Sequence, residues 1–210
     1  MGPVSILGLA LAATSSTSVG YILQDEPGAI YVMTEPTNVL GFMAHRHVIE
    51  ARSFTGRFDF DPENPGACTV RIDVPVMSLV VDRPEMRKAV GFEKEVDDGQ
   101  RKTIMEHMLG EGQLHVSKYP RIRFRGHGCA RDPLEKDGWT LEGTLEVHGV
   151  KAPIEEGVRL VFEGDEVRVS ADFSKVHADF GMEPYTAFLG TIKNDERIEF
   201  KVRARGVVRH

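Results

Sequence analysis

His45 and His47 are separated by one residue, so on a β-strand both imidazoles face the same side, which is how a zinc site begins. A third ligand would have to come from His107, His115, His127, His148 or His177, and no spacing selects one of them. An ordinary pair of surface or pocket histidines accounts for the pattern better, and no metal or other cofactor is expected. The second chemical candidate is "HADFGM", with His177 ahead of Asp179-Phe180-Gly181. A kinase magnesium loop reads this way, but that fold also needs a glycine-rich phosphate loop and an His-Arg-Asp catalytic loop, and the chain has neither. No Gly-x-Ser-x-Gly elbow offers a nucleophile. Catalysis is therefore not expected. The enzyme alternative is a metal-assisted hydrolase or isomerase using His45, His47 and His177.

The segments that must position these residues show a period of two. Val70, Ile72 and Val74 alternate with Thr69, Arg71 and Asp73. Trp139, Leu141, Leu145 and Val147 form a second apolar set, Val167, Val169, Ala171 and Phe173 a third, and Ile198, Phe200, Val202 and Ala204 a fourth. Each reads as a strand with one dry and one wet face. Short turn sequences such as "DPENPGA" and "EGDE" suit antiparallel hairpins, and many half-wet strands escape edge exposure by closing into a barrel or sandwich. Only residues 83–109 break the alternation. They read as a helical excursion interrupted near Gly91 and at 97–99, with Ile104 and Met108 on one helical face, lying across a sheet or over a barrel mouth.

Composition sets the outer limits. The 210 residues are 41% hydrophobic and 28% charged, as in a globular domain with a real core. With 32 acidic against 26 basic side chains, a net charge of -6 gives no footprint for nucleic acid. Cys68 and Cys129 form no Cys-x-x-Cys pair; one disulfide is allowed by count, but two small buried apolar residues are the expected reading. Residues 1–27 read as an N-terminal segment, with the apolar run "VSILGLALAA" and a small-x-small site at Ala10-Leu11-Ala12 as in an export signal. Against this, no Lys or Arg precedes Arg46. The run is also too short for a stable membrane span. The expected location is periplasmic or secreted, with the cytoplasm as the alternative, and residues 28–210 form the expected barrel domain.

Three blocks carry a family likeness: "NVLGFMAHRHVIEARSFTGRFDFDP", "GEGQLHVSKYPRIRFRGHG" and "LEGTLEVHGVKAPIEEGVRL". Together with "HADFGM", in this order, they resemble the YceI-like family of polyisoprenoid-binding, lipocalin-like proteins. The resemblance implies an all-β fold, an eight-stranded antiparallel barrel around an elongated cavity for an apolar, lipid-like ligand. It makes Asp179-Phe180-Gly181 pocket and turn architecture, with Lys175 and His177 where many relatives carry an arginine. The expected ligand-binding residues are Phe54, Phe58 and Phe60, which share one parity, with Phe180, Tyr185 and Phe188 near the mouth and His45 and His177 at the ligand's polar end. The expected partner is that small molecule, and self-association as a homodimer is left open.

Overall fold

The computed structural model describes residues 18–37, 45–187, 189 and 192–209. Twelve strands lie among them: β1 (Val19–Leu23), β2 (Ile30–Pro36), β3 (His47–Ala51), β4 (Thr55–Phe60), β5 (Thr69–Pro75), β6 (Leu79–Val81), β7 (Arg121–Arg131), β8 (Gly138–Val147), β9 (Val150–Glu163), β10 (Glu166–Val176), β11 (Thr186–Ala187) and β12 (Ile192–Val208). Hydrogen bonding runs β1-β4-β5-β7-β8-β9-β10-β12 and returns from β12 to β1, which closes an eight-stranded antiparallel barrel. Three of its walls continue as interrupted strands. β2 takes over from β1 along β12, β3 pairs with β2, and β6 pairs with β3. Beyond β6 this second tier meets the helices α1 (Pro84–Ala89) and α2 (Asp98–Leu109), and α2 packs against β6.

The alternation seen in the sequence becomes the inside and outside of this barrel. Val70, Val74, Trp139, Leu145, Val147, Val167, Ala171, Ile198 and Ala204 are all buried. The excursion is helical, broken between residues 90 and 97, and Asp97 starts α2 with a capping box shared with Gln100. The β8–β9 turn places His148 and Gly149 at φ 52° and 73°, the pair of positive angles that matches the twist of a two-residue hairpin. A Cβ on Gly149 would sit 2.3 Å from the Tyr119 ring, so this position is closed to other residues on two counts.

Two expectations are corrected. Cys68 and Cys129 form a disulfide, which ties the start of β5 to the end of the β7 bulge across 61 residues of sequence. In the chain-entropy account a loop of that length contributes about 4 kcal/mol. The barrel also starts before residue 28: Val19–Leu23 is the closing strand, with Tyr21 and Leu23 buried. That strand was hidden because it follows an apolar run with a different pattern. Residues 1–17, which carry the export-signal reading, lie outside the described residues. Among the described residues, no helix is long and apolar enough to cross a membrane.

Candidate functional site

Register stacks the interior into layers. His47 on β3 pairs with Thr34 on β2, Thr34 with Ile198 on β12, and Ile198 with Lys175 on β10. This row is mainly polar. Two residues deeper, Ile49 pairs with Val32, Val32 with Phe200, and Phe200 with Phe173, whose ring is parallel to it at 4.9 Å. The third row, Ile30, Val202, Ala171 and Val158, is apolar again and leads to Trp139. Between these layers lies a cavity of about 310 Å³. Phe58, Phe124, Leu160, Phe173 and Phe200 are among its walls.

The far end is filled. Phe60 meets Trp139 edge-on at 5.2 Å and stacks on Phe162 at 4.9 Å, while Tyr21 stacks on Phe58 at 5.9 Å. Of these rings Tyr21, Phe58, Phe60 and Trp139 are buried, and each contributes roughly 1.5–3 kcal/mol. The opposite end is partly covered by α2, which presents Ile104 and Met108 to the cavity together with His107.

β9 and β10 part company after the Val158–Ala171 pair. The 3-10 turn His177–Phe180 packs into the space beside β9, and Phe180 is fully buried there. Asp179 accepts the Val176 backbone N–H at 3.0 Å, and Gly181 leaves the turn at φ 65°. The Asp-Phe-Gly triplet is therefore a capped turn whose phenylalanine becomes cavity wall. Glu156 and Lys175 form an ion pair of 3.3 Å in the same region, and Glu156 lines the cavity. His177 is buried with Nδ1 2.9 Å from the Glu196 carbonyl oxygen. Burial lowers its pKa, which the contacts with Glu196 and Asp195 only partly offset.

His47 rests on a charged cluster outside the barrel wall. Its Nδ1 lies 2.6 Å from the Asp82 carboxylate, which also accepts the Val48 N–H at 3.0 Å and Arg87 Nη1 at 2.7 Å. Asp82 is 0% exposed and Arg87 4%. Burial pushes the Asp82 carboxyl up, but the His47, Val48 and Arg87 hydrogen bonds outweigh it and hold the group below its ordinary value. Beside it, buried Glu50 accepts from Arg83 at 2.8 Å and from the Gly28 N–H at 2.7 Å.

The expected site residues are thus dispersed. Phe58, His177, Phe180 and Tyr185 line the cavity. Phe54 and Phe60 are buried in the packed core beside it. His45 precedes β3 and stands off the wall, its ring centroid 6.2 Å from that of His47. Burial lowers the His45 pKa, with Lys94, His47 and Arg87 acting in the same direction. Tyr185 hydrogen-bonds His107 Nδ1 at 2.9 Å and stacks on that ring. Phe188 lies outside the described residues. Sequence reasoning did not count Thr34, Phe173, Phe200 or Glu156 among the ligand-binding residues, and read His47 as an ordinary surface or pocket histidine, with a metal role only in the enzyme alternative. Parity along "HVIEA" was the available signal, because it puts His47 with Ile49 and Ala51. No group of three or more His, Cys, Asp or Glu side chains suited to a metal occurs among the described residues.

A closed antiparallel β-barrel with an apolar interior is a lipocalin-like fold. Residues 31–204 match the YceI-like domain, and the chain belongs to the YceI-like family. Protein YceI of Escherichia coli O157:H7 is 25% identical over 115 residues, which cover 55% of this chain and 49% of that protein. The matched stretch thus spans about half the length of such curated relatives. Among solved structures, BcnA of Burkholderia cenocepacia is similar with a TM-score of 0.62 at 12% identity, covering 89% of this chain and 95% of its own. A polyisoprenoid binding domain from Saccharophagus degradans implicated in plant cell wall breakdown gives 0.59 at 10% identity, over 91% and 99%. These likenesses carry the fold.

Proposed function

We propose that this protein binds and carries, without transforming it, a single-chain apolar molecule of the isoprenoid class inside the barrel. The observation that carries the reading is the layering: two apolar rows with Phe173 and Phe200 lie beneath a row containing His47 and Thr34. A chain with one polar end matches that order, since burial of its hydrocarbon is favourable at about 25 cal/mol per Å². The likeness to the polyisoprenoid binding domain of Saccharophagus degradans supports the isoprenoid class. The Cys68–Cys129 disulfide supports an exported, oxidising location, where such bonds form and persist. Protein purified from its native source under mild conditions, extracted with organic solvent and analysed by mass spectrometry, is expected to yield a lipid at near one equivalent. Lipid-free native protein that also fails to bind prenyl chains in titration overturns the reading.

A further inference from the structure

The partners of two cavity-wall histidines and of the wall's one carboxylate among the described residues are fixed, and this bears on the headgroup they can hold. Nδ1 of His47 faces the Asp82 carboxylate, which, being ionised, can only accept; Nδ1 therefore carries the proton. Nδ1 of His177 faces the carbonyl oxygen of Glu196 and must donate for the same reason. In a neutral imidazole with Nδ1 protonated, Nε2 is an acceptor, and both rings line the cavity. Behind His47, buried Asp82 and Glu50 are ion-paired with Arg87 and Arg83. Glu156 adds a carboxylate to the wall, and its charge is matched by Lys175. No lysine or arginine side chain is part of the cavity wall among the described residues.

A phosphate headgroup would bring charge to a wall whose one carboxylate, Glu156, is already matched by Lys175, so no cation is left over for it. A hydroxyl brings the one thing these acceptors lack, a donated proton. Thr34, directly across the strand pair from His47, completes the match, because its hydroxyl can donate to the ligand oxygen while His47 accepts from it. Resting on the carrier reading above, we infer that His47 and Thr34 form a subsite for a neutral, hydroxyl-bearing headgroup, and that the cavity selects a prenol-type alcohol over the corresponding phosphate.

The test is equilibrium titration of the full chain with geranylgeraniol, geranylgeranyl monophosphate and the matched hydrocarbon, on the wild type and on His47→Leu and Thr34→Val. The wild type should bind the alcohol about tenfold tighter than the hydrocarbon, the value of one well-placed hydrogen bond, and tighter than the phosphate. In His47→Leu the alcohol-to-hydrocarbon ratio should fall towards one, with Thr34→Val intermediate. Should His47→Leu not fold, nitrogen-15 NMR of the wild type serves instead: the His47 Nε2 resonance should move with the alcohol and not with the hydrocarbon. Equal affinity of the wild type for alcohol and hydrocarbon, preference for the phosphate, or an unmoved Nε2 resonance overturns the subsite and leaves the carrier reading standing. Failure of all three ligands to bind overturns both.

Discussion

His47 and Asp82 meet at 2.6 Å through the barrel wall, with the imidazole on the cavity side and the carboxylate fully buried behind it. The contact fixes which ring nitrogen faces a ligand, and it links the cavity to an ion-paired cluster that a purely apolar barrel would not need. Buried ion pairs are sensitive to loss of one partner, because the other charge is left uncompensated.

Asp82→Asn should therefore destabilise the protein by about 3–5 kcal/mol, measured by denaturant unfolding. Asn is chosen because Asp82 sits at φ 51°, a conformation it tolerates, so backbone strain does not confuse the result. Replacing Arg87 by Met in the same chain should recover most of the loss. A single variant within 1 kcal/mol of wild type means Arg87 is not held by this charge.

Stability should fall in two separate acid steps. The His177 pKa is below its ordinary 6.5 in the folded state, so the unfolded chain binds the extra proton and stability declines as pH drops below about 6.5. The slope approaches about 1.4 kcal/mol per pH unit for one such group. Asp82 acts lower: its carboxyl is held below 3.8, and its contribution is lost as pH falls through that lowered value. His177→Gln should flatten the first step and leave the second. His45, also lowered, keeps its own share of the first. An unchanged slope between pH 6.5 and 5 in the variant removes His177 from the account.

How much of this was legible in the sequence depends on the range of the signal. Strand parity is local, so the dry faces of β5, β8, β10 and β12 could be read directly, as could the break into helix near Arg83. The layering is not local. It requires β2, β3, β10 and β12 in one register, and nothing in "TEP" or "SKV" announces that Thr34 and Lys175 share a row. His45 and His47 look equivalent until the start of β3 is known; strand pairing begins at His47 and leaves His45 outside. Phe58 and Phe60 share a parity, yet only depth along the barrel separates a cavity wall from a filled end. Asp82 and Arg87 follow no period, and cysteines 61 residues apart carry no spacing signal.

The parity itself can be tested at one strand. Leu145 is buried and Glu142 exposed on β8. Leu145→Asp should cost several kcal/mol by burying an unpaired carboxylate, whereas Glu142→Lys should change stability by no more than about 0.5 kcal/mol. Equal losses would contradict the assigned faces.

Reduction provides a further check on the lower barrel. The Cys68→Ala/Cys129→Ala double variant should lose about 4 kcal/mol, and adding a thiol reductant to it should have no further effect. A double variant as stable as the oxidised wild type means the crosslink is strained or absent in solution.

The difference between cavity and core is sharpest at two phenylalanines on one strand. Phe58 borders the cavity, while Phe60 is held between Trp139 and Phe162 in the filled end. Both are nearly inaccessible, so burial alone cannot distinguish them. Enlarging either to Trp adds the same volume, but only the cavity has room for it. Phe60→Trp should overpack and destabilise by roughly 1–3 kcal/mol. Phe58→Trp should stay within about 1 kcal/mol of the wild type, since its added atoms extend into empty space with apolar walls. The same substitution should lower the affinity for a prenyl chain and the lipid recovered on extraction, because the new ring takes the volume the chain would occupy. Unfolding curves and ligand titration on the two variants measure both effects. Comparable destabilisation of the two, with ligand binding intact in Phe58→Trp, would make the interior a packed core at that level and place any ligand elsewhere.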